Sequence, residues 1–289
     1  MRRIHHADNL TVLRGLADGA ADLVYIDPPF NTGRTRRRKL LRTIPVEGGE
    51  AGDRTGFHGL RYRTEILGRT QFLDRFDDYL AWLEPRLREA YRVLAPHGTL
   101  YFHIDYREVH YCKVLLDGIF GRESFLNEIV WAYDFGGRPR DRWAPKHDNI
   151  LVYVKDPGRY TFDYDAIERI PYMAPRLVGA RKAAEGKRVT DTWWHTIVPT
   201  NSREKTGYAT QKPLGILRRI ISVSSRPGDL VLDFFAGSGT TGAACLELGR
   251  SFLLVDDSAA AITAMRRRFA GVEGIEWVLP PRRRTRKEA

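Results

Sequence analysis

The tetrapeptide Asp27-Pro28-Pro29-Phe30 has the chemistry to hold an amino group attached to a planar ring. Its prolines donate no N–H and fix φ, so the turn is stiff and presents the Asp27 carboxylate, the Pro28 carbonyl and the Phe30 ring. Two acceptors beside an aromatic face match the two N–H donors of an exocyclic base amine. Holding both N–H bonds frees the nitrogen lone pair and stabilises the positive charge that develops when the nitrogen attacks an electrophile. Taken alone, the tetrapeptide is equally well explained as a turn that closes a strand.

A second candidate group lies near the carboxyl end, where 231–242 has the order of a strand, a glycine turn and a helix. Gly237 and Gly239 allow close backbone approach and positive φ, and the helix that follows begins with unpaired N–H groups. Asp256 ends the next apolar run, a position suited to the ribose hydroxyls of an adenosine group. The residues predicted to bind a nucleoside cofactor here are Asp233, Phe235, Ala236, Gly237, Ser238, Gly239, Thr240 and Asp256.

The glycine loop does not by itself identify the cofactor. With Gly242 it completes G-x-G-x-x-G, which is also the fingerprint of NAD-dependent dehydrogenases. Asp233 stands just before the loop, where a carboxylate suits the amino group of S-adenosylmethionine better than the pyrophosphate of a dinucleotide. The loop therefore favours S-adenosylmethionine, with a dehydrogenase as the alternative.

Short apolar runs and amphipathic stretches alternate along the chain and would position both groups. Predicted strands cover 22–26, 98–104, 150–154, 230–233 and 252–255, and predicted helices cover 77–94, 214–223, 240–248 and 259–269. Most strands are continuously apolar, which is typical of a parallel sheet covered by helices on both faces. The pattern predicts a doubly wound α/β fold in a single domain, 1–289, with insertions at 31–70, a basic loop, and at 156–207.

The charge balance predicts a polyanionic partner. The 289 residues include 47 Lys plus Arg against 36 Asp plus Glu, a formal net charge of +11. One basic cluster directly follows the tetrapeptide, and we expect it to contact DNA phosphates, although a solvated face is the alternative. Its residues are Arg34, Arg36, Arg37, Arg38 and Lys39. Cys112 and Cys245 match no metal spacing, and neither a signal peptide nor a membrane-length apolar run is recognisable, so we expect no metal site and a cytoplasmic protein.

At these residues the sequence resembles the amino-methyltransferases of bacterial DNA modification systems. Asp27 to Phe30 matches the family's catalytic D-P-P-[YF], and 235–239 matches its cofactor loop F-x-G-x-G. Thr210, Gln211 and Lys212, which precede Pro213 at the start of a helix, resemble a third motif that lies near the methionine part of the cofactor. Catalytic motif first and cofactor loop last is the order of the beta class. The chain is also similar to the Mod subunits of type III restriction systems, though much shorter.

The resemblance implies the Rossmann-like fold of S-adenosylmethionine-dependent methyltransferases, with a seven-stranded type of sheet, and target recognition by 156–207. It further implies base flipping and methylation of double-stranded DNA, and from it we expect a homodimer and a companion restriction endonuclease. An aspartate at position 27 is more typical of adenine-N6 than of cytosine-N4 enzymes, and cytosine-N4 remains the alternative. Methylation of RNA and a non-catalytic nucleic-acid-binding protein also stay open.

Overall fold

The computed structural model describes residues 1–45, 54–55, 61–74, 76–199 and 202–280, which form two compact units. One unit comprises Met1–Phe30 and Leu80–Ala289, and the other comprises Asn31–Tyr79. The strands are β1 (Arg2–His6), β2 (Ala21–Ile26), β3 (Arg34–Pro45), β4 (Arg54–Thr55), β5 (Arg61–Asp74), β6 (Leu94–Asp105), β7 (Phe125–Ala132), β8 (His147–Val154), β9 (Arg169–Ile170), β10 (Lys187–Arg188), β11 (Thr192–Trp194), β12 (Leu230–Asp233), β13 (Ser251–Asp256) and β14 (Glu276–Val278). The α-helices are α1 (Asn9–Arg14), α2 (Tyr79–Val93), α3 (Val109–Phe120), α4 (Ala180–Glu185), α5 (Leu214–Ser224), α6 (Thr240–Leu248) and α7 (Ala259–Arg268).

A nine-stranded sheet organises the larger unit, in the order β11-β7-β8-β6-β2-β12-β13-β1-β14. All its neighbouring strands pair in parallel except β8, which is antiparallel to both β6 and β7. The strand of this sheet that follows β2 in sequence is β6, which lies on one side of β2. The strand that follows β12 is β13, which lies on the opposite side of β12. The strand order therefore reverses between β2 and β12, which is where ligands bind in doubly wound sheets.

Helices bury both faces of this sheet, as the continuous apolar runs predict. Leu23 and Tyr25 of β2 belong to a cluster that includes the apolar side chains of α5, α6 and α7. Val24 and Ile26 are equally buried but lie outside that cluster, because successive side chains point to opposite faces of a strand. The prediction of a doubly wound, mostly parallel α/β fold is confirmed, and all five predicted strands and four predicted helices are present within a few residues of their predicted ends.

The smaller unit corrects the expectation of a basic loop at 31–70. It contains an antiparallel ribbon in which β3 pairs with β5, with Arg34 opposite Asp74 and Pro45 opposite Tyr62, and β4 adds to β5. Long-range backbone pairing stabilises strands here without the apolar alternation by which strands are recognised in sequence. The side chains of Arg34, Arg36, Arg37, Arg38 and Lys39 lie outside the described part of the structure, so their contact with phosphate stays a prediction.

The second predicted insertion, 156–207, crosses the larger unit from one edge of the sheet to the other. Thr161 donates its backbone N–H to His97 O and Asp163 to Val223 O, which fixes the beginning of the insertion at the edge where β8 ends. A β9–β10 pair and α4 follow. The segment then joins the sheet through β11, where Trp194 lies opposite Ala132 of β7.

Among the helices that the structure describes, none is both long and apolar enough to cross a membrane.

Candidate active site at the carboxyl edge of the sheet

The two predicted groups meet at the edge where the parallel strands end, called here the carboxyl edge. Asp27 follows β2, Asp233 ends β12 and Asp256 ends β13, and these strands are neighbours in the sheet. Leu23 pairs with Val231 and Leu254 with Asp233, so the strand ends are in register. The topology thus brings together residues that are separated by about two thirds of the chain.

Lys212 contacts the tetrapeptide directly. Its Nζ lies 2.7 Å from both Oδ1 and Oδ2 of Asp27, and both side chains are mostly buried. The same ammonium group lies 4.8 Å from the centroid of the Phe30 ring. Lys212 therefore supplies a fixed positive charge beside the carboxylate and the aromatic face that the sequence predicts to hold an amine. Sequence reasoning placed Lys212 near the cofactor but did not predict this ion pair.

The glycine loop is tied to the end of β13 by hydrogen bonds that its backbone N–H groups donate. Gly237 donates its N–H to Asp256 Oδ2 at 2.8 Å, and Ala236 donates to Val255 O at 3.1 Å. Gly237 and Gly239 both have positive φ, 51° and 74°, as their sequence positions predict. Asp256 therefore lies at the loop, where the prediction places it. Its two oxygens already accept the backbone N–H groups of Gly237 and Ser258.

Gly239 is also required by packing. A Cβ at Gly239 would lie 2.8 Å from Met265 Cγ and 2.9 Å from Phe269 Cε2, both of which follow from the position of α7. Ser238 is held from the same side, because Arg268 donates to its carbonyl oxygen at 2.7 Å. The loop is therefore rigid, with the start of α6 at Thr240 directly behind it.

Asp233 is buried, and both of its oxygens have protein donors. Oδ1 accepts the N–H of Phe235 at 3.0 Å, and Oδ2 accepts the hydroxyl of Thr241 at 2.5 Å. This side chain orients the glycine loop from beneath. The sequence-based expectation that its carboxylate holds the cofactor's amino group stays a prediction, and any such interaction would share oxygens that already accept these bonds.

The carboxylates around the loop affect one another's pKa. Burial, together with the charges of Asp27 and Asp256, raises the pKa of Asp233 to about 7. Burial, with the charge of Asp257, raises the pKa of Asp256 to about 6. Like charges in a poorly hydrated site disfavour each other's ionised form, so this part of the edge attracts a cation. A pyrophosphate would be repelled by the same groups.

The Thr210–Lys212 motif is only partly directed toward the site. Gln211 uses its side-chain oxygen to accept the N–H of Thr206 at 2.8 Å and its amide nitrogen to donate to Glu204 O at 2.7 Å. It thereby folds the segment that leads into α5. Thr210 is exposed. Their predicted contacts with a cofactor therefore remain predictions.

Tyr208 lies against the glycine loop and was not identified from the sequence. A Cβ at Gly237 would lie 3.2 Å from Cε1 of its ring. Burial, followed by the nearby charges of Asp256 and Asp27, raises the pKa of Tyr208. Nothing in the local sequence distinguishes this tyrosine from the other aromatic residues of the chain.

A buried chain of hydrogen bonds lies beneath Phe30. The Tyr25 hydroxyl and His103 Nδ1 are 2.9 Å apart, His103 Nε2 and Asp148 Oδ2 are 3.2 Å apart, and Tyr133 donates its hydroxyl to Asp148 Oδ1 at 2.9 Å. The ring centroids of His103 and Phe30 are 5.8 Å apart. His103 is fully buried and interrupts the apolar run 98–104, which is the one signal by which the sequence could have identified it.

Asp148 differs from the carboxylates of the glycine loop. Burial alone would favour its neutral acid, but hydrogen bonding and charge from His103, with the charge of Lys212, hold its pKa below the ordinary value. Burial and the adjacent Asp148 raise the pKa of Tyr133. These hydrogen-bonded residues are therefore two neutral tyrosines, a histidine and an ionised carboxylate, and they pack beneath Phe30. Among the residues that the structure describes, no group of acidic, histidine or cysteine side chains is arranged to hold a metal ion.

Comparisons with known proteins agree with this geometry. A family model described as DNA methylase matches residues 21–267. The type II methyltransferase M.HpaI of Haemophilus parainfluenzae is 29% identical over 279 residues, which cover 95% of this chain and 77% of that protein. DNA adenine methyltransferase YhdJ of Escherichia coli (strain K12) is 30% identical over 268 residues, which cover 88% and 78% respectively. The M1.HpyAVI–SAM complex shares the fold, with a TM-score of 0.58 at 21% identity over 93% of this chain and 100% of that chain.

Proposed function

The chain belongs to the DNA methylase family, and on that basis we propose that it transfers a methyl group from S-adenosylmethionine to N6 of adenine in double-stranded DNA. The observation that carries the proposal is the meeting of Asp27 with the cluster of carboxylates at the glycine loop. A site that concentrates negative charge suits a sulfonium cofactor, and the turn beside it suits an amine substrate. The dehydrogenase alternative is excluded by the family.

The residues present fit S-adenosylmethionine. Gly237 and Gly239 give a backbone surface without side chains, the N-terminus of α6 lies behind it, and Asp256 stands where ribose hydroxyls can donate to it. The carboxylates of Asp233 and Asp256 favour a cation. When bound, this cofactor supplies an electrophilic methyl group on a positively charged sulfur.

Asp27 and Pro28 hold the amine of the target base in the proposed reaction. The Asp27 carboxylate and the Pro28 carbonyl accept its two N–H bonds, which draws the nitrogen lone pair out of the ring and stabilises the developing ammonium. Phe30 stacks on the flipped base, and His103 supports Phe30 from below. The surplus proton leaves the nitrogen after transfer, and an Asp27 oxygen can receive it.

Lys212 fixes the position of the acceptor in this turn. Its ammonium group lies 2.7 Å from Asp27 and holds the carboxylate beside the Phe30 ring. Each carboxylate oxygen can accept a second hydrogen bond, so the amine can be held while Lys212 keeps its contacts with Asp27. We propose that Lys212 thereby orients the carboxylate.

Adenine is favoured over cytosine on two grounds. The first residue of the tetrapeptide is aspartate, and the adenine methyltransferase YhdJ is among the relatives of the chain. Cytosine N4 carries the same kind of amine and could be held by the same groups, so it is the second candidate.

The proposal extends to the organisation of the chain and to its partners. We propose that residues 1–289 act as one methyltransferase with 31–70 and 156–207 as insertions, that the second insertion contributes to target recognition, and that the enzyme works in the cytoplasm. We also propose a homodimer and a companion restriction endonuclease, because the sequence resembles the amino-methyltransferases of bacterial DNA modification systems.

The direct test is product identification. The purified chain is incubated with S-adenosylmethionine and mixed-sequence genomic DNA from a methylation-deficient source, and the DNA is digested and analysed as nucleosides by mass spectrometry. N6-methyladenine is the expected product. N4-methylcytosine would retain the mechanism and replace the substrate base, whereas no methylated nucleoside from a chain that binds the cofactor would contradict the proposal. RNA treated in parallel distinguishes the two nucleic acids.

A further inference from the structure

The loop between β7 and β8, residues 133–146, is the feature that the proposed reaction does not explain. It leaves the sheet after Ala132 and returns at His147, and these two residues are paired. Because β7 runs parallel to β6 and β2, the loop stands at the carboxyl edge, as Asp27 does. Tyr133 at its base contacts Asp148, and through His103 the contacts continue to Phe30.

The base of the loop is fixed while its apex is exposed. Lys146 donates its Nζ to Phe135 O at 2.7 Å and to Gly136 O at 2.8 Å, which ties the two strands of the base together. Trp143 is 97% exposed and Phe135 is 66% exposed. Tryptophan is the largest side chain and is usually mostly buried, so a ring in this position contributes almost nothing to folding. Trp194, which is 75% exposed, adds another ring at the same edge, across from Ala132.

Positive charge surrounds these rings. The loop carries Arg138, Arg140, Arg142 and Lys146 against Asp134 and Asp141. Arg138 pairs with Asp134 at 2.8 Å and Arg142 with Asp141 at 3.0 Å, and all four of these side chains are largely exposed. Exposed pairs of this kind contribute little to stability and exchange readily for phosphate. Basic side chains interleaved with exposed aromatic rings form a surface typical of nucleic-acid binding.

We propose that the β7–β8 loop contacts the DNA beside the target nucleotide, with Trp143 stacked on an unstacked base and Arg138, Arg140 and Arg142 on phosphates. The inference rests on the proposed function, because it assigns the surface that opens and holds the duplex for that reaction. It differs from the predicted basic cluster at 34–39 and from the predicted recognition region at 156–207. Stacking at the vacated position offsets the cost of extruding the target base.

Two helices outside the segments assigned to DNA provide matched controls. Arg88 of α2 is 60% exposed in its side chain and pairs with Glu84 at 2.6 Å, four residues earlier, much as Arg138 pairs with Asp134. Tyr111 of α3 is an exposed aromatic residue. Neither belongs to the β7–β8 loop, to the predicted basic cluster or to the predicted recognition region.

The experiment uses the full chain and two readouts. Methyl transfer from S-adenosylmethionine to genomic DNA is measured for Trp143→Ala and for the control Tyr111→Ala. Binding to a random-sequence duplex is measured against salt for the triple variant Arg138→Gln/Arg140→Gln/Arg142→Gln and for the control Arg88→Gln. We expect Trp143→Ala to lower kcat/KM about tenfold. We expect the triple variant to flatten the slope of log affinity against log salt by about two to three units. Neither control should change, and cofactor affinity should be unaltered in every variant.

Each outcome bears on one proposal. One outcome is that the wild-type chain methylates DNA, Trp143→Ala keeps the wild-type kcat/KM and the triple variant keeps the wild-type salt slope. That outcome would overturn the role of the loop and leave the proposed function intact. A wild-type chain that methylates no DNA would contradict the proposed function, and the salt slope would still test the loop. If the loop variants lose self-association in sedimentation while their DNA binding is unchanged, the loop contacts a second copy of the chain instead, and the inference is overturned.

Discussion

The two halves of the carboxyl edge use the same residue type in opposite ways. In the cofactor half, at the ends of β12 and β13, burial and the charges of neighbouring carboxylates raise the pKa values of Asp233 and Asp256. In the base half, at the end of β2 and the start of β8, Asp27 pairs with Lys212 and Asp148 with His103. A lowered pKa for Asp148 is the result. The sequence shows aspartates in both halves and does not distinguish them.

The difference shows which half must receive a charge from outside. Buried carboxylates with acidic neighbours repel one another when ionised, and a positively charged ligand relieves that repulsion. Carboxylates that already have a cation hold a fixed geometry and are suited to a neutral ligand such as a base amine. A methyl transfer from a sulfonium to an amine needs both kinds of site side by side.

The largest effect is expected when the base half loses the Asp27 carboxylate, which accepts hydrogen bonds from the target amine. Asp27→Ala should reduce kcat for methyl transfer by about 10³-fold, because the developing ammonium loses its carboxylate. Cofactor affinity, measured by calorimetry, should change by only a few-fold, since the glycine loop is untouched. A variant that loses cofactor binding in parallel with turnover would show that the two halves do not function separately.

The next largest effect is expected on stability, when a substitution disturbs the packing of the glycine loop in the cofactor half. Gly239→Ala should lower the free energy of unfolding by about 2–4 kcal/mol, since it combines a left-handed φ of 74° with a Cβ within 2.9 Å of α7 side chains. Gly249→Ala is the matched control, because φ there is 71° and nothing lies within 4 Å. It should cost only about 1 kcal/mol. Urea denaturation measures both, and equal losses would disprove the packing argument.

Opposite pH dependences of stability should distinguish the halves. Asp233 has a raised pKa, so the folded chain binds more protons than the unfolded chain between about pH 4 and 7, and its contribution to the free energy of unfolding falls as pH rises through that range. Asp148 has a lowered pKa, so its contribution is present above about pH 4 and is lost as pH falls below it.

Conservative variants isolate these contributions. Asp233→Asn should stabilise the chain above pH 7, by no more than a few kcal/mol, and remove the decline between pH 4 and 7. Asp148→Asn should destabilise the chain at neutral pH and weaken the loss in acid. Thermal unfolding followed across pH measures both, and profiles that move in the same direction for the two variants would argue against the comparison.

The smallest effect is on cofactor affinity. The Kd for S-adenosylmethionine should decrease as pH rises from about 5.5 to 7.5, by about tenfold, because a cation binds the ionised carboxylates of Asp233 and Asp256. Calorimetry in buffers of different ionisation enthalpy should show proton release on binding at pH 6. A flat profile would show that these carboxylates are not coupled to the cofactor.

Much of the fold and the composition of the site could be predicted from the sequence. The apolar runs identified the strands that carry Asp27, Asp233 and Asp256, and the prolines and glycines identified the turns that follow two of them. The β3–β5 ribbon was missed because its backbone pairing is long-range and its composition is mainly polar. Tyr208 and His103 were missed as site residues because their importance lies in what they contact.

Local covalent chemistry determined what the sequence could reveal: prolines without N–H groups, glycines that allow positive φ, and apolar periods that specify strands and helices. Tertiary structure decided which charges meet. Lys212 contacts Asp27 across 185 positions, His103 contacts Asp148, and Asp233 is buried near the acidic residues Asp27 and Asp256. Distance and burial set the strength of an electrostatic interaction, and both arise only when the chain is folded.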